Sequence, residues 1–236
     1  MCVERGEFLK KCGNFAGKFS KGKVMSEYTQ SMIQTERDFN CMQIESLNHS
    51  MAEYLDIVDE NGIHTGETVE RETAHAKGIR HRTVHLWLVR KKDGKLQVLL
   101  QRRAKHKESF PDRYDTSSAG HIPAGSDYRE SAIRELFKEL GVHAKAEDLV
   151  YCGTRHVVYD GEFCGKLFHD RQVSKVFYLW FDADESAFNI DPAEVDRVLW
   201  MNLDACIDGV RHNTFPHCIE MDELEILCSG LKVDFA

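Results

Sequence analysis

From Gly120 to Val142 the chain reads GHIPAGSDYRESAIRELFKELGV, and this stretch limits the fold more than any other. Glycines and a proline open it, so residues 120–126 are expected to turn rather than extend. Asp127 stands three residues before Glu130, the D-x-x-E form of a helix N-cap. Ile133, Leu136, Phe137 and Leu140 recur at helical spacing and predict a buried stripe. Gly141 suits a left-handed C-terminal stop. The expectation is a loop, a helix over 127–140 and a second loop. Residues four apart share a helix face, so Glu135 and Glu139 should project together, away from Ile133, Leu136 and Leu140. Adjacent carboxylates repel. A hard divalent ion, Mg2+ or Mn2+, relieves that repulsion and keeps positions open for phosphate oxygens. Taken alone, an E-x-x-x-E pair is more often a solvated acidic face, here with Lys138 and Arg134 as salt-bridge partners.

The flanks predict strands and helices in mixed order. EYLDIVDENGIHTGETVER alternates and turns at Asn61-Gly62, a hairpin signal, and HRTVHLWLVRKKDGKLQVLLQRR gives two strands around Asp93-Gly94. LVYCGTRHVVY and VSKVFYLWFDA read as strands. EVDRVLWMNLDACIDGV reads as a strand entering a helix, and TFPHCIEMDELEILCSGL as a final helix. This order suggests an α/β sandwich with a mixed sheet rather than a regular βαβ repeat.

Bulk properties narrow the class. The 236 residues are 42% hydrophobic and 30% charged, with a formal charge of −8. That balance argues against nucleic-acid or anionic-membrane binding by bulk charge. No apolar run is long enough to span a bilayer, and no secretory signal is evident at the start. The eight cysteines form no C-x-x-C pair, so they read as reduced thiols of a cytoplasmic protein. Residues 1–50 lack a period of 2 or 3.6 and are nearly neutral, with seven Lys/Arg against six Asp/Glu. They read as a mobile N-terminal extension, leaving residues 51–236 as the domain.

The segment also resembles the Nudix box, G-x5-E-x7-R-E-U-x-E-E-x-G-U, where U is aliphatic. Gly120, Arg134, Glu135, Leu136, Glu139, Gly141 and Val142 match it, seven of the nine defined positions. Residues 53 to about 205 are similar to the branch of that superfamily related to type I isopentenyl-diphosphate isomerase. The resemblance implies a Nudix-type α/β/α sandwich with a loop–helix–loop catalytic motif. It implies Mg2+ (or Mn2+) on Glu135 and Glu139, with Arg134 orienting loop and helix. The reaction implied is hydrolysis of a diphosphate linkage in a nucleoside diphosphate derivative or related organic diphosphate. The substrate is then a small molecule, and homodimerisation is compatible with this reading.

Two positions depart from the box. Ser126 stands where the pattern has its first glutamate, and Lys138 where it has the first acid of its E-E pair. Lys138 leaves room for one metal more readily than for two or three, and it is a candidate to touch substrate. Asp127 is placed to take over part of the role lost at Ser126. His75, His81 and His121 fall where the isomerase branch has metal-binding histidines, so His121 is a candidate for metal or substrate. That branch uses a cysteine two residues before this histidine; here Ala119 stands there, which disfavours isomerisation. Arg102, in a basic run with Arg103, Lys105 and Lys107, is a candidate phosphate ligand. Glu162, Asp170 and Asp182 are candidate bases. The altered box also admits a weakly active or non-catalytic sensor of nucleotides or diphosphates.

Overall fold

A computed structural model describes residues 52–235 of the protein; the extension over 1–50 lies outside the described residues. A hairpin, β1 (Tyr54–Val58) and β2 (His64–Glu70), opens the fold and leads into a short helix, α1 (Arg71–Lys77). The strands pair antiparallel around Asn61-Gly62, as the turn signal predicts. Helix α1 was not anticipated; a small core of Leu55, Val69 and Ala74 holds it to the hairpin.

The main sheet has seven strands: β3 (His81–Lys92), β4 (Lys95–Arg103), β5 (Tyr114–Asp115), β6 (Ser118–His121), β7 (Val150–Phe163), β8 (Lys166–Trp180) and β9 (Val195–Asn202). Its central path runs β5-β4-β3-β8-β7, with β6 added to β3 and β9 to β4. β3 and β8 are parallel, and every other pairing is antiparallel. The sheet is therefore mixed.

Strand alternation splits the apolar residues between two cores. Val84, Leu86 and Leu88 of β3, Leu99 of β4 and Phe177 of β8 bury against α2 (Tyr128–Leu140). Trp87 and Val89 of β3, Val98 and Leu100 of β4 and Val176 of β8 face the other way. There they meet α3 (Leu203–Arg211) and α4 (Met221–Leu231). The result is the expected α/β/α sandwich. Burying each large aliphatic side chain contributes on the order of 2 kcal/mol, so both cores are needed to hold helices on the two faces.

Two local expectations change. Phe137, a member of the expected buried stripe of α2, is 50% exposed, while Ser131 and Glu139 are buried. The inward face of α2 is thus rotated toward the acids. The final helix begins only at Met221. Of the described cysteines, Cys152, Cys206, Cys218 and Cys228 are free thiols. Cys164, in the β7–β8 turn, is disulfide-bonded, so the expectation of reduced cysteines fails there. Among the described residues, no helix is long and apolar enough to cross a membrane.

Candidate active site

Helix α2 starts as its sequence predicts. The Asp127 carboxylate caps it, accepting from the Arg129 amide at 2.7 Å and the Glu130 amide at 3.4 Å. Both cap bonds are accepted by Asp127 Oδ1. The preceding loop is held from the N-terminal hairpin. Buried Asp56 accepts from the Gly125 amide at 3.0 Å and from Arg82, and the same guanidinium nitrogen donates to the Ser126 carbonyl at 2.9 Å. At Gly120 a Cβ would lie 2.5 Å from Glu135 Cγ, so glycine here is what lets the Glu135 side chain lie against β6. Gly141 closes the helix at φ +69°, in the left-handed region.

The acids do not point away from the core. Glu139 is only 6% exposed and accepts from Ser118 Oγ at 2.6 Å. Burial pushes its carboxyl up to about 8, and the charges of Glu135 and Glu194 add to this while the Ser118 hydrogen bond opposes it. Burial therefore favours the protonated form of Glu139. Arg134 donates to Glu135 at 3.2–3.3 Å.

Glu194 joins this group from 55 residues further on. The Asn189 amide donates to the Leu140 carbonyl at 3.0 Å and the Asp191 amide to the Glu139 carbonyl at 2.9 Å. These bonds tie the approach to β9 onto the end of α2. Glu194 accepts from Lys138 at 3.1 Å and from Lys107. Burial alone would raise its carboxyl, but the two ammonium groups hold it down at about 2. Lys138 also lies 3.8 Å from Glu135. Opposed by burial, the charges of Glu194 and Glu135 still raise the Lys138 ammonium above its usual value. Three carboxyl groups and two lysines therefore share one place.

Arg102 behaves differently from the expectation for a phosphate ligand. Its guanidinium pairs with Asp112 at 2.9 Å and lies over the Tyr114 ring. Of the basic run, Lys107 is the residue at the acids. Asp182 is a mostly exposed partner of Arg90 at 3.8 Å, and Glu162 is exposed on β7.

On the opposite sheet face, His75, His81 and His121 converge, with one ligand atom from each within 4.8 Å of the others. His75 Nε2 lies 3.1 Å from His121 Nε2. His81 Nδ1 bonds the Ile79 carbonyl at 2.9 Å, which requires the proton on Nδ1 and leaves a lone pair on Nε2. Burial is the main reason that His75 falls to about 3 and His81 to about 4, and that His121 titrates well below the ordinary value. Neutral imidazoles make no ion pair with Asp170, although its Oδ1 lies 3.6 Å from His81 and 3.8 Å from His75. Burial lifts Asp170 to about 6. Buried His81 Nε2 and Asp170 Oδ1 have no hydrogen-bond partner. Orphaned acceptors of this kind fit a cation, and three imidazoles with a carboxylate suit a transition metal such as zinc.

The NUDIX domain matches residues 79–217. The chain belongs to the Nudix family. An uncharacterised Nudix hydrolase of Clostridium acetobutylicum is 32% identical over 165 residues, covering 67% of this chain and 77% of that one. An isopentenyl-diphosphate Delta-isomerase of Escherichia coli is 30% identical over 159 residues, covering 67% and 81%. A crystal structure of a Deinococcus radiodurans protein superposes with a TM-score of 0.53 at 20% identity. It covers 74% of this chain and 98% of that one, and it shows the fold alone. The activity class is that of the Nudix pyrophosphohydrolases.

Proposed function

We propose that the protein hydrolyses a diphosphate linkage in a small organic diphosphate, such as a nucleoside diphosphate derivative, with Mg2+ or Mn2+ held by Glu135 and Glu139. The observation that carries this reading is the buried Glu139 carboxyl, one helical turn from Glu135 and held by the Ser118 hydroxyl, at the two retained acid positions of the box. Glu194 is a third carboxylate for the same ion. When bound, the ion neutralises phosphate charge and lowers the pKa of attached water. The chain's own contribution is positional. Ser118 and Gly120 set the two box carboxylates, and Asp56 with Arg82 fixes the loop before the helix. Lys107, paired with Glu194, supplies an ammonium group at the same place for phosphate oxygens, while Lys138 pairs with Glu194 and Glu135. His75, His81, His121 and Asp170 form a separate candidate cation site on the other sheet face.

A second reading, a binding module that does not cleave, draws on one feature. Lys138 and Lys107 already neutralise Glu194, which weakens the pull on a metal. Isomerisation is disfavoured because Ala119 offers no thiol for proton transfer at carbon. Phosphate release with Mg2+ or Mn2+ from nucleoside diphosphate sugars, dinucleotides and nucleoside di- and triphosphates tests the hydrolase. Release from one class, lost in Glu139→Gln, is the expected result. Tight binding without release from any class would favour the binding module.

A further inference from the structure

Two ammonium groups from distant parts of the chain are built in among the carboxyl groups of α2. Lys138, one helical turn from Glu135, lies 3.8 Å from Glu135 Oε2 and 3.1 Å from Glu194 Oε1. It sits between two carboxylates, the place a bridging cation takes. Lys107 donates to the other oxygen of Glu194, Oε2. Each oxygen of Glu194 therefore already accepts from an ammonium group.

Backbone bonds fix this arrangement from two sides. The Asp191 amide donates to the Glu139 carbonyl at 2.9 Å, and the Glu194 amide to the Asp191 carbonyl at 2.9 Å. Glu194 is thus hung from the helix that carries Glu135 and Glu139. From the β4–β5 loop, the Ala104 amide donates to the Glu194 carbonyl at 3.0 Å, and the His106 ring to the Ala193 carbonyl at 2.9 Å. The Lys107 amide donates to the Ala104 carbonyl at 3.1 Å. That turn delivers Lys107 together with Glu194. Lys138 is more exposed than its partners, and the two carboxylates are what draw its ammonium inward.

We propose that the acid group holds a single divalent ion, with the Lys138 ammonium, clamped between Glu135 and Glu194, standing in the place of a second. The proposal rests on the assignment of Glu135 and Glu139 as metal ligands given above. Lys138 and Lys107 have different parts in it. Lys138 fills the bridging position, and Lys107 holds Glu194 where it can clamp Lys138.

Charge and space both support one ion. Paired divalent ions on shared carboxylates stand about 3.5–4 Å apart. A second ion bridging Glu135 and Glu194 would need the position of the Lys138 ammonium, and like charges that close repel strongly in a partly buried site. When ionised, the three carboxylates against two ammonium groups leave one net negative charge. A single dication reverses that charge and leaves the site positive towards a diphosphate. The acid that the box pattern has at position 138 is the ligand this chain lacks for a second ion.

Mn2+ binding to the full chain, counted at equilibrium and read by EPR, tests this without turnover. Two Mn2+ ions on shared carboxylates couple magnetically and lose the resolved hyperfine lines of an isolated ion. Any Mn2+ on the histidine group is common to all the variants and cancels in the count between them. Wild type should bind one Mn2+ per chain more than Glu139→Gln, and its spectrum at saturation should stay uncoupled. Lys138→Ala removes the ammonium and adds no ligand, at a half-exposed helical position where alanine favours the helix. It should admit a second Mn2+ and give a coupled spectrum. Lys138→Glu should admit that ion about 10-fold more tightly than Lys138→Ala. A coupled pair in wild type overturns the proposal and leaves Glu135 and Glu139 as metal ligands. A single uncoupled ion in Lys138→Ala also overturns it, since the lysine would then exclude nothing. Equal Mn2+ binding by wild type and Glu139→Gln would remove the ligand assignment itself, and the proposal with it.

Discussion

The two faces of the central sheet hold candidate ligand sets of opposite character, although the same strands line both. On the α2 face, Ser118 and Gly120 of β6 back Glu139 and Glu135, and Glu194 and two lysines complete the group. On the other face, the residues between and after them, Ala119 and His121, look toward His75, His81, His85 and Asp170. On the acid face Glu139 must shed a proton to accept a cation, since burial holds it at about 8. On the histidine face His75 and His81 are bases already free, since burial holds them at about 3 and 4. Burial thus makes opposite preparations. It keeps a carboxyl protonated and an imidazole neutral, in both cases by disfavouring charge. A cation should therefore be gained with rising pH on the acid face and with little pH dependence on the histidine face above about 6, where Asp170 is also ionised.

The largest effect should separate the faces outright. Glu139→Gln should lower divalent-dependent phosphate release by at least about 100-fold, while leaving a folded protein by thermal melting. Retention of full activity would remove the assignment of Glu139 as a metal ligand. On the other face, His121→Gln should weaken binding of Co2+ or Zn2+ by about 10- to 100-fold, read from the visible spectrum of bound Co2+. Mn2+ bound at the acids should be unaffected; equal loss of both ions would mean the faces form one centre.

A smaller effect sharpens the contrast in pH dependence. The folded value of about 8 for Glu139 lies above the unfolded value of 4.5, so the folded state binds more protons between these limits. Stability of the metal-free protein should fall as pH rises from about 4.5 towards 8. Glu139→Gln should flatten this slope in melts across that range, and saturating Mn2+ should offset it. Glu194, held at about 2, contributes the opposite dependence, with stability lost only as pH drops below 4.5. The smallest expected effect is at Lys138. Lys138→Glu restores an acid at the box position and should tighten Mg2+ a few-fold, raising activity when Mg2+ is limiting. A fall in activity at saturating Mg2+ would instead make the Lys138 ammonium a direct phosphate ligand.

Much of this contrast is absent from linear sequence for a definable reason. The α2 segment announces itself locally: Asp127 caps it, Gly141 stops it, and Glu135 and Glu139 share a face by helical spacing alone. The hairpins at Asn61-Gly62 and Asp93-Gly94 are equally local, because a tight turn needs glycine within two residues. Helical spacing could pair the two acids but could not say which way they face, and Phe137 rather than Glu139 was expected inside. That direction depends on how α2 rolls against β3 and β6. Glu194 meets Lys107 across 87 residues, and Glu223 meets His85 across 138. No periodicity or motif spans such separations, because ladder register and the tie of Asp191 to Glu139 create them. The sequence by itself determined a helix carrying two acids four residues apart and a mixed α/β fold around it. Only the tertiary structure decided which charges share a pocket, because proton affinity depends on burial and neighbours that folding alone brings together.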